Sequence, residues 1–263
     1  ETWLAHCERF VNAAAARFSI NEGSRVVEVA ANDGSLLQYV KARGIPCLGI
    51  EPTASTAAAA RARGIPVIKD FFGTRLANEL AARGCRTDLT VANNVLAHVP
   101  DINDFAQGFE ILLKPDGVAT FEFPHLMRMI EETQFDTIYH EHYSYLSLSA
   151  VNRILQQAGL EIFDVEEIPT HGGSLRVYAQ KRAAGRQART PTVDSLLQRE
   201  SEAGMGSRSF YEGFQAKADR IKNNFLSFLL QMKQEGKKVA GYGAAAKGNT
   251  LLNYAGVKRD LLT

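Results

Sequence analysis

Short apolar runs alternate with segments of helical apolar spacing through the first half of the chain, and that alternation predicts the fold. Residues 4–18 are rich in alanine with apolar positions spaced for a helix, and Asn21-Glu22-Gly23 breaks it. "RVVEVA" (25–30) reads as a buried strand. Three helix patterns follow, "SLLQYVKARG" (35–44), "STAAAARARG" (55–64) and "TRLANELAARG" (74–84), each opening on Ser or Thr and closing in Ala-Arg-Gly. A hydroxyl at the start satisfies free N–H groups, and the closing glycine accepts a left-handed cap. Between them lie the short strands "PCLGIE" (46–51) and "PVIKDF" (66–71), both entered through Ile-Pro. "DLTVANN" (88–94) is the fourth strand and "GVATFEF" (117–123) the fifth. The shared "ARGIP" at 42–46 and 62–66 is helix-stop, strand-start punctuation rather than an internal repeat. Strands and helices alternating at this spacing predict an α/β fold, a parallel sheet wrapped on both faces.

The rhythm then changes. Residues 147–159 are helical, and "EIFDVEEIPT" (161–170) and "SLRVYAQK" (174–181) read as an antiparallel pair around "HGG". The basic, glycine-containing stretch 182–191 reads as a linker and 192–235 as mostly helical. "KKVAGYGAAAKGNTLLNYAG" (237–256) is strand, glycine turn and helix, the opening of a second α/β unit. The expected organisation is a nucleotide-cofactor domain over 1–182, a linker and helical segment over 183–235, and the beginning of a second Rossmann-like domain over 236–263.

Composition narrows the classes. The chain's 263 residues suffice for one large domain or two smaller ones. With 30 basic and 29 acidic residues there is no electrostatic reason to expect a nucleic-acid or anionic-membrane partner. No apolar run is long enough to span a bilayer, and no charged-then-apolar export signal is present. Cys7, Cys47 and Cys85 are odd in number and far apart, which suits a reducing cytoplasm better than a disulfide framework or a zinc site. The chain opens on Glu1 rather than Met, so the native start is expected to be missing.

"VVEVAANDGS" (26–35) ends the first strand and opens a helix, the position that holds nucleotide cofactors in open α/β sheets. A dinucleotide site wants Gly-x-Gly-x-x-Gly for its pyrophosphate. Here only Gly34 falls in the turn, and Glu28, Ala30 and Asn32 are otherwise polar or small. That suits a cofactor without phosphate, of which S-adenosylmethionine (SAM) is one. Glu51 ends the second strand, where a carboxylate can accept both ribose hydroxyls. Asp70 and Phe71 follow the third strand, placed for the adenine edge and face, and Asn93 and Asn94 end the fourth. The structural alternative is that a glycine turn and a strand-end carboxylate serve the fold alone.

"FDTIYHEHYSYLSL" (135–148) crowds Tyr139, His140, Glu141, His142, Tyr143 and Tyr145 into one passage. His140 and His142 as a metal pair would need further ligands, and nothing nearby is arranged as a set, so no metal is expected. Tyr139 lies three residues before His142, which one helical turn would bring to the same face. His98, in "NNVLAHVP", aims from the same sheet edge. Tyr143 and Tyr145 read as wall or core. His125 after Pro124 is unassigned, and His140 has no role.

The chain resembles the SAM-dependent sugar C-methyltransferases, which build C-branched deoxysugars on nucleotide diphosphate carriers. The resemblance rests on "VVEVAANDGSLL", "GIEP", "NNVLAHVPD", "FDTIYHEHYSYLS", "IPTHGGSLRVY" and "GYGAAAKGNTLLN", which cover nearly the whole chain in the family's order. It implies a Rossmann-like class I methyltransferase sheet with SAM as cofactor. The implied substrate is a nucleotide-diphosphate 4-keto-deoxysugar, dTDP-linked, methylated at C3 through an enolate. His142 would be the base, Glu141 its orienting partner or proton acceptor, Tyr139 the donor to the enolate oxygen, and His98 a further active-site residue. Lys247 would meet the diphosphate, with Tyr242 and Asn249 near it, and His171 would either touch substrate or shape a hairpin. The family usually has Gly where this chain has Ala30. Its full-length members also carry a Cys-rich zinc-binding segment and a complete second domain. Two rival readings remain: a nicotinamide-dependent sugar oxidoreductase resting on "GYGAAA", and a binding module that kept the fold without the chemistry.

Overall fold

The computed structural model describes residues 2–243 and 246–263. Its strands are β1 (Val26–Val29), β2 (Cys47–Ile50), β3 (Val67–Ile68), β4 (Thr87–Asn93), β5 (Leu113–Pro124), β6 (Leu160–Ile168) and β7 (Ser174–Lys181). They form one sheet in the order β3-β2-β1-β4-β5-β7-β6. The first five run parallel, because each is entered from a helix, and β6 and β7 close the edge as the expected antiparallel pair. All four positions of β1 are buried, as in a strand covered on both faces.

Helix α1 (Trp3–Arg17) lays Cys7, Phe10, Val11 and Ala14 on one face, beside α2 (Leu37–Ala42) and α3 (Ala54–Ala62). The other face carries α4 (Thr74–Ala82), α5 (Ile102–Leu112) and α7 (Leu148–Gln157), packed through Leu76, Phe105, Phe109 and Leu148. A short α6 (Leu126–Glu131) follows β5. Because α1 runs back toward the start of β1, its first turn lies at the carboxyl edge of the sheet, where a site would be.

The three Ala-Arg-Gly endings behave as read: Gly44, Gly64 and Gly84 all hold φ +72°. The helix openings do not. α2, α3 and α4 have no side-chain cap, because they start a residue or two away from where Ser35, Ser55 or Thr74 could reach a free N–H. Ser35 instead donates to Asp33 at 2.6 Å and Thr74 to Asp104 at 2.5 Å. Gly34 is the position where the turn itself needs glycine: φ is +78°, and a Cβ would run into Ile65 and Ala60.

The stretch 182–191 is no free linker. Gln187 and Gln180 bond to one another in both directions at 2.8 Å, and Thr190 donates its N–H to Phe163 at 2.7 Å. Val193 and Leu196 of α8 (Pro191–Glu202) belong to the same core as the sheet, so a boundary at 182/183 does not separate two cores. The helical segment continues in α9 (Phe214–Gln234) and α10 (Ala246–Ala255). Of the strand, glycine turn and helix expected over 237–256, the strand does not form among the described residues, although the backbone there bonds to Thr263. That residue donates to Val239 O at 3.0 Å and accepts from Gly241 N–H at 3.1 Å, the alternation of a parallel ladder. Ala244 and Ala245 of the glycine turn lie outside the described residues, as does Glu1. Among the described residues no helix is long and apolar enough to cross a membrane, and no group of three His, Cys, Asp or Glu side chains is disposed to hold a metal.

Candidate active site

The carboxyl ends of β1 to β4 converge on a cavity of about 520 Å³, lined by Val29, Ala30, Ile50, Pro52, Asp70, Phe71 and His98 among others. Glu51 stands behind its wall, buried, and accepts from the N–H of Asn32 at 3.0 Å, the N–H of Thr53 at 2.9 Å and the hydroxyl of Thr56 at 3.0 Å. One carboxylate thus ties the β1–α2 turn to the start of α3 and keeps acceptor capacity to spare. Ala30 and Asn32 hold φ +56° and +51°. A left-handed alanine costs roughly 1 kcal/mol, which a glycine at position 30 would not incur. Asp70 pairs with Arg75 at 2.5 Å, which holds its carboxyl below the usual range, and Phe71 is 78% exposed at the rim.

Glu28, Asn93 and Asn94 are not in the wall of this cavity. Glu28 lies near Cys7 of α1, whose thiol is pushed up chiefly by burial. Burial pushes the Glu28 carboxyl well above its usual range, and Asp33 and Glu51 add to that. Its Oε2 and the amide groups of Asn93 and Asn94 are buried without hydrogen-bond partners.

His98 also lines a smaller pocket of about 80 Å³ with Asn94, Tyr139, His142, His171 and Lys247. The ring of His98 stands edge-on to that of His142 at 4.7 Å, and Tyr139 packs on His142 at 4.3 Å. The His142 N–H donates to Tyr139 O at 3.0 Å, closing the turn that brings both rings to one side. His142 Nδ1 meets Thr137 O at 2.9 Å, and His98 Nδ1 meets Glu141 O at 3.0 Å. A carbonyl oxygen only accepts, so each Nδ1 carries the proton and each Nε2 keeps its lone pair. Burial lowers the pKa of His142, as do the neighbouring His98 and Lys247, against the opposing effects of the Thr137 carbonyl and Glu141. Burial, with the charges of Glu141 and Asp136, raises that of the Tyr139 phenol and keeps it a donor.

The orienting partner of His142 is therefore the Thr137 carbonyl, not Glu141. The Glu141 side chain is exposed and acts on His142 only through its charge, while its main chain orients His98. Tyr145 stands edge-on to His142 at 6.0 Å, half-buried, but does not line this pocket. Tyr143 does not line it either, and is 63% exposed. His140 is exposed as well.

His171 sits at φ +55° in the turn between β6 and β7, so it shapes the hairpin and lines the pocket at once. Lys247, in the first turn of α10, donates to its carbonyl at 3.3 Å. Packing of Tyr254 on Phe135 at 5.4 Å holds α10 against the stretch that leads to Tyr139. Tyr242 and Asn249 are not brought to the pocket; both are exposed. Tyr242 belongs to the segment without a strand partner, and Asn249, two residues beyond Lys247, faces round the other side of the helix.

The sequence reading missed a buried cluster. Glu122 on β5 is wholly buried and takes His6 Nε2 at 3.0 and 3.1 Å, Arg176 at 3.0 Å and the Thr170 hydroxyl at 3.3 Å. Burial alone would raise its pKa, but the bonds from His6 and the Arg176 charge outweigh that and hold it below the carboxylate range. A signal was there: Glu122 interrupts the apolar run "GVATFEF", and His6 falls on the buried stripe of α1.

A parallel five-stranded sheet closed by an antiparallel pair, with a cavity over its carboxyl edge, defines the fold class of the class I methyltransferases. Solved structures agree. A SAM-dependent methyltransferase from Clostridium acetobutylicum aligns with TM-score 0.54 at 10% identity, over 69% of this chain and 93% of that one. Magnesium protoporphyrin IX methyltransferase from Synechocystis, with bound SAH, aligns with TM-score 0.53 at 14% identity, over 68% and 83%. The chain belongs to the methyltransferase family: the profile described as a methyltransferase domain matches residues 3–165, and one described as a C-methyltransferase C-terminal domain matches residues 169–263. The C-methyltransferase NovU of Streptomyces niveus is 33% identical over 254 residues, 97% of this chain. The chain spans 60% of that relative's length.

Proposed function

We propose that this chain is the cofactor-binding and proton-abstracting part of a SAM-dependent C-methyltransferase. Its substrate is a nucleotide-diphosphate 4-keto-deoxysugar, dTDP-linked, methylated at C3. The observation that carries this reading is a histidine pair with free Nε2 lone pairs beside the cofactor cavity. The residues at that cavity suit SAM: Glu51 has acceptor capacity left for ribose hydroxyls, and Asp70 and Phe71 stand where the adenine would lie. Outside the cavity wall, the unpartnered groups of Glu28, Asn93 and Asn94 on β1 and at the end of β4 suit the polar methionine end. Ala30, Asn32 and Gly34 shape the turn between them. When bound, SAM supplies the electrophilic methyl group.

The chain's own residues do the rest. His142 Nε2 takes the C3 proton, acidified by the adjacent ketone. The Tyr139 phenol donates to the developing enolate oxygen. Phe123 and Pro124 form an apolar wall that limits water. Lys247 and His171, at the pocket's open side, meet the diphosphate.

The test is the full-length protein with SAM and a dTDP-4-keto-deoxysugar. The expected product carries one added methyl group at C3, read by mass and proton NMR. If no such substrate is methylated, the assignment is lost. Calorimetry separates the oxidoreductase reading, which requires NAD(H) binding around 241–248 and no SAM affinity. Glu51→Gln is expected to weaken SAM about tenfold to a hundredfold, the scale of a hydrogen bond to a charged group. Unchanged affinity would remove Glu51 from the cofactor site.

A further inference from the structure

Glu200 lies in α8, in the stretch whose sequence reads as a spacer, and is 1% exposed. Its Oε1 accepts from His125 Nε2 at 2.8 Å and from the Leu148 N–H at 2.6 Å. Its Oε2 accepts from the Ser149 N–H at 2.8 Å and from the Ser149 hydroxyl. These donors mark the two ends of one excursion. His125 is the first residue after β5, and Leu148 and Ser149 open α7. Between them run the residues that bear Tyr139 and His142.

The backbone closes the same root. His125 pairs with Leu146, the Leu126 N–H donates to Leu146 O at 2.9 Å, and the His125 N–H donates to Gly173 O at 3.0 Å. The root is thereby joined to the turn that holds His171. Ser147 accepts only the Ala150 N–H of α7 at 3.1 Å, so Glu200 takes the Leu148 and Ser149 N–H groups that Ser147 leaves free, and it also holds His125, which capping α7 does not require. Burying a carboxylate is costly unless it is paired and hydrogen-bonded, and the donors that satisfy Glu200 come from both ends of the excursion.

We propose that Glu200 is a positioning residue: it clamps both roots of the 125–148 excursion and so sets His142 against His98 from a helix outside the sheet. The clamp therefore links the segment matched to the C-methyltransferase C-terminal domain with Tyr139 and His142, which lie in the segment matched to the methyltransferase domain. This inference rests on His142 as the base, but its first measurement does not.

Hydrogen–deuterium exchange is compared in the full-length wild type, Glu200→Gln, Glu200→Ala and the milder Ser149→Ala. Amides of 135–146 are expected to exchange about tenfold faster in the Glu200 variants, with a smaller rise in Ser149→Ala and no change in β1 or β4. Unchanged exchange at 135–146 in the folded variants overturns the clamp, whatever the activity. Should Glu200→Ala fail to fold, Glu200→Gln and Ser149→Ala decide the matter. Methyl transfer from SAM to a dTDP-4-keto-deoxysugar then tests the link to catalysis. Displacing the base by about 1 Å is expected to lower kcat about a hundredfold with SAM affinity unchanged. Faster exchange with wild-type kcat overturns the positioning role. Absence of turnover in the wild type would overturn the proposed function and leave the clamp to be decided by exchange alone.

Discussion

His142→Asn is expected to lower turnover about a thousandfold while SAM still binds as in the wild type. General-base catalysis contributes on the order of 10² to 10⁴ in rate, and asparagine has no lone pair basic enough to take a proton from carbon. The substitution keeps an amide that can donate to Thr137, so the surrounding turn is preserved. His98 is the residue shared by the two cavities, and His142 is not in the wall of the cofactor cavity. Affinity for SAM, measured by calorimetry, therefore serves as the internal control. Near-normal methyl transfer would move the base elsewhere.

The pH profile sharpens this expectation. The base must be neutral, and burial with the neighbouring His98 holds the His142 pKa below the ordinary value of about 6.5. Activity should thus be complete at neutral pH and fall only as pH drops below that value. His98→Gln removes a group that lowers the pKa and should move the acid limb upward. Glu141→Gln removes one that raises it and should move the limb down. A limb that ignores both substitutions would not belong to His142.

Glu122→Ala is expected to cost about 3–5 kcal/mol of folding stability and about 10 °C in Tm. The substitution leaves His6 and Arg176, both more than nine-tenths buried, without the carboxylate they share. Arg176 keeps Glu166 at 3.2 Å, His6 Nε2 at 3.2 Å and the face of Phe10, of which Glu166 alone is a carboxylate. Denaturant or thermal unfolding of the variant measures the loss, and a change below about 1 kcal/mol would mean that the cluster is not a stabilising unit. The sign with pH follows from the depressed carboxyl pKa. The ionised cluster's contribution is present above the unfolded carboxylate value of about 4.3 and is lost as pH falls through the lower folded value. The stability gap between wild type and Glu122→Gln should therefore narrow in acid. Thr170, bonded to the same carboxylate, precedes His171, so the variant should also loosen that edge of the pocket.

Much of the fold was legible because its signals are local. Apolar runs, the Arg-Gly helix ends and the antiparallel "HGG" hairpin each depend on residues close in sequence. The helix openings were misread for the same reason: a hydroxyl beside a helix is a cap only if the helix starts at the right residue, and α2, α3 and α4 do not. Of the pocket, Tyr139 and His142 could be paired from their spacing, since one turn of backbone sets their relation.

The sequence by itself determined the alternation of strands and helices, the cofactor edge and the crowded passage at 139–145, since periodicity and turn chemistry encode these over a few residues. Only the tertiary structure decided which partners act at a distance. Thr137 rather than Glu141 orients His142, and Glu141 orients His98 through its main chain. His6 meets Glu122 across 116 positions, and Glu200 reaches back 75 positions to His125. No periodicity records such pairings, because they arise where strand order and helix packing bring separate elements together and where a buried charge must find its donors.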